Sequence, residues 1–291
     1  MHTDVKWATR QRLQFIEIIA WYTGVVTRSG VARAFGNSDA AATKDLKLYN
    51  DLAPGNLVYN HNVFGFVPHD SFQPLFADLS PPRILPILAT NLAVTNGPYG
   101  SDSIYGIPTH ALPLPTRLPD RNTLAQITRA IHRRSKLRVR YRSLSDPDSL
   151  KARIVEPHTL VDTGLRWHMR GYQEASYDFR DFVLSRISEA ECLDVPAESG
   201  IQYDDDWVEY VSVRLTPHTG LDAAQRNSLL LDYGASDERI EINVRRAMLG
   251  YLLQRLSIDT TSDHSMNPNA HQLMLLNRDE IEPFAPWVFR V

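Results

Sequence analysis

The sequence predicts a multidomain protein of the α+β class, and three observations carry that prediction. Three helical patterns and a β-hairpin pattern fill the first 70 residues. Arginine-rich strand patterns dominate residues 121–195, and strands then alternate with helices over residues 205–291. At 291 residues with 43% hydrophobic content, the chain is long enough for two or three domains.

Three short helices open the chain. Residues 9–22 place apolar side chains near helical spacing, and Gly24 ends that pattern. A second helix is predicted over residues 27–36, and Ser38 is suited to cap a third helix over residues 40–52. Two helices joined by a short turn, the second capped by Ser, predict a helix-turn-helix.

A β-hairpin follows the third helix. Residues 53–69 predict two strands around a polar turn, and Pro68 closes the second strand. The first 70 residues therefore form a winged helix-turn-helix, which we expect to bind DNA. A protein-docking winged helix is the alternative, because residues 1–70 carry seven basic against six acidic side chains, a net charge of only +1.

The outer face of the third helix is small, polar and basic, which favours DNA as its partner. Arg28, in the second helix, and His61, in the wing, are suitable phosphate contacts. The residues predicted to contact DNA are Arg28, Ser38, Ala40, Ala41, Thr43, Lys44, Lys47 and His61. The stretch from Phe35 to Tyr49 also resembles the deoR-type helix-turn-helix, with Thr43-Lys44 before Asp45-Leu46 where that pattern has a basic pair before Asp-Leu.

Residues 71–120 are rich in proline and predict a semi-rigid connector that contains a short helix after Pro82. Such a segment suits the transmission of one domain's position to the next. A helix from Thr123 to Arg134 then opens the central region, with Leu124, Ile127 and Ile131 predicted to face its core.

The central region, residues 121–195, is predicted to form β-strands that collect arginines. Over residues 137–142, Leu137, Val139 and Tyr141 face a core while the intervening arginines face away. The same period of two recurs over residues 166–172 and 179–187. In the last run, one predicted face carries Arg180, Phe182, Leu184 and Arg186.

A sheet face with this much guanidinium needs either water or anions over it, because arginine stays charged. A solvated face is one interpretation. The other is a pocket for a phosphate- or carboxylate-bearing ligand, favoured by the aromatic residues interleaved with the arginines. The candidate ligand-binding residues are Tyr141, Ser143, His158, Trp167, His168, Arg170, Arg180, Phe182 and Arg186.

The run from Ile154 to Ile187 resembles a WYL domain of bacterial transcriptional regulators. Trp167, His168 and Met169 stand where the family has Trp-Tyr-Leu, and Arg180, Phe182, Leu184, Arg186 and Ile187 match the family's Arg-x-Phe-x-Leu-x-Arg-Ile pattern. The resemblance implies an Sm-like or SH3-like β-barrel that senses a ligand.

The C-terminal region, residues 205–291, shows the order strand, helix, strand, helix, strand. That order predicts a small α+β extension, which in WYL-containing regulators supports dimer contacts. The run Asp204-Asp205-Asp206 before it is predicted to be a solvated linker, since three consecutive carboxylates do not share one face.

Composition excludes several classes of function. A single cysteine, Cys192, cannot form an internal disulfide or a multi-cysteine zinc site. The apolar runs fall short of a membrane span, and no apolar signal core opens the chain, so we expect a cytoplasmic protein without membrane contact. No nucleophile elbow, phosphate-binding glycine loop or paired-histidine motif is present, which predicts a protein that is not an enzyme and has no cofactor, metal or catalytic residue.

The order of winged helix, connector, WYL barrel and C-terminal extension resembles, over the full length, the BrxR/CapW group of regulators encoded beside bacterial anti-phage defence systems. Residues 48–60, LYNDLAPGNLVYN, carry the resemblance locally. It implies a homodimeric repressor of a defence operon that binds a palindromic double-stranded operator and senses a nucleotide or nucleic-acid effector. The alternative function is a nucleic-acid-binding accessory protein that modulates a defence enzyme and has no operator of its own.

Overall fold

The computed structural model describes residues 5–90, 107, 112, 115, 117–144, 152–235 and 237–289. The chain forms two compact units, Met1–Pro113 and Leu114–Val291. Most of the predicted connector after residue 90 lies outside the described residues. No helix of the described part of the chain is long and apolar enough to cross a membrane.

The first unit has the winged-helix order that the sequence predicts. Thr27 caps the second helix and Ser38 the third, each through a side-chain oxygen that accepts a backbone N–H. Gly24 and Gly36 end the first two helices in the left-handed conformation. The elements are α1 (Trp7–Thr23), α2 (Arg28–Phe35), α3 (Asp39–Leu52), β1 (Leu57–Asn60), β2 (Gly65–Pro68) and α4 (Pro81–Thr90).

The core of this unit lies between α1, α2 and α3 and extends to α4. Val31, Leu46 and Tyr49 are buried, as their helical spacing predicts. Glu17 is buried too, and its carboxylate accepts the backbone N–H groups of residues 75–77 at 2.6–2.8 Å. Together with the buried Ile84 of α4, this interaction fastens the first 20 residues of the predicted connector to the winged helix.

The second unit contains two sheets and five helices among the described residues. The first part comprises α5 (Arg121–Arg133), β3 (Ser135–Tyr141), β4 (Ala152–Asp162), β5 (Trp167–Gln173), β6 (Asp178–Val183) and β7 (Ile187–Pro196). The second part comprises α6 (Asp205–Val208), β8 (Tyr210–Pro217), α7 (Ala223–Asp232), β9 (Ile240–Arg245), α8 (Leu249–Arg255), β10 (Leu273–Leu275) and α9 (Arg278–Ile281).

The first sheet of this unit is antiparallel, in the order β6-β5-β4-β3-β7. Among the described residues it is an open sheet, so the barrel that the sequence analysis expects is not closed here. Leu137, Val139 and Tyr141 of β3 are buried, as predicted. The prediction for Leu124 is wrong, because α5 buries the stripe Thr123, Ile127 and Ala130 and leaves Leu124 exposed.

The strand predicted over residues 179–187 is interrupted. β6 ends at Val183, and Leu184–Arg186 form a 3-10 turn before β7 begins. This turn removes Arg186 from the face that it was predicted to share with Arg180. A period of two in the sequence cannot distinguish one continuous strand from two strands joined by such a turn.

The C-terminal elements have the predicted order strand, helix, strand, helix, strand. The second sheet is antiparallel in the order β10-β8-β9, so β8 lies at its centre. Val213 and Leu215 of β8 are completely buried and pack with Leu249 and Leu253 of α8. Burial of both the central strand and one helix face gives this region its own core.

Candidate nucleic-acid interface and anion site

A groove of about 460 Å³ lies between the start of α2, the outer face of α3 and the wing formed by β1 and β2. One wall is polar and cationic, and the other is aromatic. The polar wall consists of Thr27, Arg28, Ser29, Thr43, Lys47 and Asn50, and the wing contributes Tyr59, Phe64 and Phe66.

The start of α2 adds a partial positive charge to this groove. Thr27 Oγ1 accepts the N–H of Gly30 at 3.0 Å, whereas the first N–H groups of an α-helix have no partner within the helix. Helix N-termini of this kind bind phosphate, because N–H groups and the helix dipole both favour an anion. With Arg28 and Lys47 alongside, the groove suits one sugar-phosphate strand.

The predicted DNA-contact residues cluster around this groove, with different roles. Arg28 is exposed and lies 3.4 Å from the Asp39 carboxylate. Ser38 serves as the α3 cap, with its Oγ 3.2 Å from the Ala41 amide nitrogen, and Ala41 is half-buried. The remaining predicted contacts lie at exposed positions: Ala40, Thr43, Lys44, Lys47 and His61.

Sequence reasoning missed part of the groove. Four residues that line it were not among the predicted DNA contacts: Ser29, Asn50, Tyr59 and Phe64. Asn50 lies one turn beyond Lys47 on the same helix face, so the three- and four-residue spacing of α3 could have identified it. The two rings could not be placed without the hairpin register, which pairs Asn60 with Gly65 and leaves Phe64 in the turn.

The central sheet contains a second polar site, built around Arg170. Its Nε and Nη2 donate to the two carboxylate oxygens of Asp204 at 2.6 and 2.8 Å, and its Nη1 donates to Asp181 at 3.2 Å. His158 Nε2 lies 3.0 Å from the same Asp204 carboxylate. Arg170 is only 4% exposed and Asp204 only 1%, so this bidentate pair is buried.

The pKa values in this cluster follow from burial and pairing. Burial disfavours the charged forms of both Arg170 and Asp204, but their partners outweigh it. Asp204 and Asp181 raise the pKa of Arg170, and hydrogen bonds from His158 and Arg170 lower the pKa of Asp204. For Asp181, burial dominates and raises the pKa. Burial and the nearby Asp181 carboxylate raise the pKa of Tyr251, whose hydroxyl donates to Asp181 at 3.2 Å.

The Asp204 environment overturns two sequence-based expectations. Asp204 is not part of a solvated linker, because it is buried against Arg170, whereas its neighbour Asp205 is exposed. Arg170, expected to line an anion pocket among aromatic side chains, is instead paired with two acidic side chains of the chain itself, Asp204 and Asp181. Asp204 lies 34 residues away along the chain, which no local pattern reports, whereas Asp181 is the cross-strand partner of Arg170 in the β5–β6 hairpin and required its register.

A second acidic side chain holds the same linker. Glu156 of β4 is 2% exposed, and its carboxylate accepts the backbone N–H groups of Glu198, at 2.6 Å, and Ser199. Lys136 lies 3.3 Å from Glu156 and balances its charge. The segment between β7 and β8 is therefore fastened to the central sheet at two buried points, Glu156 and Arg170.

His168 occupies an unusual environment beside this cluster. It is 1% exposed, and neither ring nitrogen has a hydrogen-bond partner in the described part of the chain. Its ring packs against the Tyr251 ring of α8, with the two ring centroids 4.8 Å apart. Burial, with repulsion from Arg166 and Arg186, lowers the pKa of His168 to about 4. His168 is thus a neutral imidazole at pH 7.

The other candidate ligand residues are distributed over the sheet. Arg180 is exposed and lies 3.6 Å from Asp178, and Trp167 is 38% exposed. Phe182 is buried against the Tyr141 ring at 5.2 Å. Arg186 and Ser143 lie at partly exposed positions. The structure thus groups His158 with Arg170 through Asp204, but it leaves Arg180 outside that cluster.

Comparisons with known proteins agree with this architecture. Residues 8–90 match the BrxR transcriptional regulator winged helix-turn-helix domain. Residues 122–192 match the WYL domain, and residues 210–281 match the BrxR transcriptional regulator C-terminal dimerization domain. The fold is thus that of a winged-helix transcriptional regulator with a central WYL domain.

Curated relatives narrow this class to a family. The chain is 36% identical over 276 residues to the DNA-binding transcriptional repressor CapW of Escherichia coli (strain KTE188), covering 95% of this chain and 91% of that protein. The CapW repressor of Pseudomonas aeruginosa is 34% identical over 95% of this chain and 92% of its own length. The chain belongs to the family of BrxR-type regulators that includes the CapW repressors.

One solved structure also aligns along most of the chain. It is the proteasome accessory factor B/C (PafBC) of Arthrobacter aurescens, with 18% identity and a TM-score of 0.26. The alignment covers 97% of this chain and 48% of that one.

Proposed function

We propose that this DNA-binding transcriptional regulator is a homodimeric repressor that recognises a palindromic operator through α3. The groove between α2, α3 and the wing carries this proposal, because it combines a helix N-terminus, two cationic side chains and polar side chains on one accessible surface. A single winged helix offers few basic contacts. Two copies related by a two-fold axis double the number of base pairs read, and the operator repeats that symmetry.

We propose further that the WYL domain responds to a nucleotide or nucleic-acid effector. Arg170 supports the effector proposal, because its guanidinium donates two hydrogen bonds to one anionic group, the bidentate geometry that also suits phosphate. The anionic group is the chain's own Asp204 carboxylate. An effector phosphate that reaches Arg170 must displace Asp204, and the linker to the C-terminal domain would lose one of its two buried attachments.

Displacement of Asp204 would couple effector binding to operator affinity through the linker between β7 and β8. The linker leads directly into β8, the central strand of the dimerization domain. A change in the linker would alter how two copies present their winged helices. A coupling free energy of about 1–3 kcal/mol between the two sites is sufficient to change operator occupancy severalfold or more.

The operon controlled is proposed to be one for anti-phage defence, on the resemblance to regulators encoded beside such systems. The test is a titration of the purified protein against the duplex upstream of its own gene and against the separated strands of that duplex. Protection of a discrete duplex site supports the repressor. Binding to single strands alone would favour an accessory protein and contradict the proposal.

The effector proposal has its own test. Mononucleotides and short 5′-phosphorylated oligonucleotides are added to the preformed operator complex, with unphosphorylated nucleosides as the control ligand. Arg180 is exposed on the sheet that carries Arg170, but it pairs in register with Gly171 and so lies on the opposite face; Arg180→Ala therefore tests whether the ligand binds that other face. Arg138→Ala is its matched control, because Arg138 is similarly exposed and likewise has an acidic neighbour, Glu191 at 2.7 Å. An effect of phosphorylated ligands that Arg180→Ala and Arg138→Ala both preserve supports sensing on the Arg170 face, whereas an effect that Arg180→Ala alone weakens would place the ligand on the opposite face and contradict the displacement of Asp204.

A further inference from the structure

The tip of the wing presents exposed apolar side chains. Phe64 is 79% exposed, Val63 46% and Tyr59 44%. Large apolar side chains gathered at the end of a projecting hairpin gain nothing from the fold, because they contribute little to its core. They indicate a surface that another molecule covers.

The backbone at Phe64 strengthens this argument. Its φ angle is +49°, in the left-handed region that bulky residues rarely adopt and that Asn or Gly adopts more readily. The neighbouring turn is fixed, since Asn60 Oδ1 accepts the N–H of Asn62 at 2.8 Å. A fold requirement alone would favour Asn or Gly at position 64, so the exposed ring is explained by contact with a partner.

The groove beside the wing identifies that partner by its charge. Phe64 and Tyr59 of the wing line the same groove as Arg28 and Lys47 of the helices. A sugar-phosphate strand places its anionic oxygens toward such cations and its deoxyribose carbon atoms toward such rings. A protein partner would need acidic side chains for the cations and apolar side chains for the rings, in the same spacing. Every strand of duplex DNA carries both kinds of group, because its phosphates are anionic and its deoxyribose carbons are apolar.

We propose that Phe64, supported by Val63, is an apolar DNA-contact residue that packs into the minor groove beside each half-site when α3 occupies the major groove. This inference rests on the proposed function of operator binding, and it adds a contact that does not involve charge. Apolar wedges of this kind read the width and deformability of a base step rather than its hydrogen-bonding groups. Each half-site would therefore have a sequence preference in the flank that α3 does not touch.

The test uses the full-length protein and the variant Phe64→Asn, which keeps the left-handed backbone but removes the ring. We expect operator affinity to fall about tenfold, the scale of losing one aromatic contact with a nucleotide. The slope of log affinity against log salt should stay unchanged, because no counterion release is lost. Hydroxyl-radical footprinting, which reports the accessibility of deoxyribose, should show loss of minor-groove protection beside each half-site.

Two controls separate this contact from other effects. Lys47→Ala should lower the affinity and also reduce the salt slope by about one unit, as a phosphate contact does. Leu85→Ala removes a side chain that is 64% exposed on α4 and does not line the groove, and it should bind operator like the wild type. Melting temperature is measured on every sample.

The outcomes are distinct. Affinity within twofold of wild type in Phe64→Asn overturns the proposal, and so does a loss of affinity that accompanies a lower melting temperature, because the ring would then be structural. If the wild-type protein itself protects no duplex, the repressor function fails first. If the wild-type protein binds the operator and Phe64→Asn binds it with the same affinity, the repressor function is retained and only the proposed wing contact is excluded.

Discussion

At the scale of single residues, Arg170 was predicted to bind an anion because of its charge, and in the structure it also stabilises the fold. Its sequence context suggested an open anion site, but in the structure Asp204 and Asp181 occupy its guanidinium. Arg170→Ala would leave the buried Asp204 carboxylate and the partly buried Asp181 carboxylate without their arginine. It therefore destabilises the second unit, by roughly 3–5 kcal/mol, and cannot by itself distinguish sensing from folding.

His168 provides a prediction for pH dependence. Its pKa is about 4 in the folded protein, below the ordinary value of 6.5, so the unfolded chain binds the proton more readily. Stability is thus lost as pH falls from about 6.5 toward 4. Between pH 7.5 and pH 5 this side chain accounts for about 2 kcal/mol of that loss. In His168→Leu, denaturant titrations at the two pH values should show a correspondingly smaller difference, whereas an unchanged difference would contradict a neutral buried imidazole.

Lys44 tests the outer face of α3. The side chain is exposed and carries a full charge next to Thr43. If Lys44 meets a phosphate, Lys44→Ala weakens operator binding and lowers the salt slope by about one unit. Titrations at several salt concentrations measure both quantities, and an unchanged affinity with an unchanged slope would exclude Lys44 from the interface.

At the scale of elements, the linker between β7 and β8 couples the two parts of the second unit. Asp204 holds it on the central sheet through Arg170 and His158, and Glu156 holds it through backbone amides. α8 adds a third contact, because Tyr251 donates to Asp181. The face of β5 that bears His168 and Arg170 is consequently covered, which explains why both faces of that strand are buried.

Asp204→Asn tests this linker attachment. Loss of the carboxylate charge breaks a buried ion pair, and we expect a loss of roughly 3–5 kcal/mol in the free energy of unfolding. Amide hydrogen exchange over residues 198–209 should become faster, because local opening becomes easier. The matched control is Asp205→Asn, which changes an exposed neighbour and should leave both measurements within error. Equal effects of the two variants would refute a special role for Asp204.

Local pattern predicted some elements and could not predict others. The helices and wing of the first unit follow from caps, glycine stops and helical spacing, and the alternation of strands and helices after residue 209 follows from periodicity. The 3-10 turn at Leu184–Arg186 does not, because a period of two continues across it, and the burial of Asp204 does not, because its partner Arg170 lies 34 residues away. In the candidate DNA interface, the exposure of the lysines on α3 was predictable from helical spacing. The position of the Phe64 ring was not, because it depends on the register of the hairpin.

At the scale of the whole molecule, charge is balanced inside the second unit. Residues 121–190 carry fourteen basic against eight acidic side chains, while residues 191–291 carry eight against seventeen. The structure pairs part of the basic excess with that acidic segment, as Arg138 with Glu191 and Arg170 with Asp204 show. The overall pI of 6.4 therefore says little about DNA binding, which at the proposed interface depends on the local charge of the groove in the first unit.

The central claim is that a dimer places two copies of α3 on one face of a palindromic duplex. The most direct measurement is selection of bound duplexes from a random pool, followed by footprinting of the enriched sequence. We predict an inverted repeat whose half-site centres lie one or more turns apart, each turn being about 34 Å, with two protomers bound per duplex. Inserting about half a turn between the half-sites should then greatly weaken binding. An enriched site without two-fold symmetry, or one bound by a single protomer, would contradict this account.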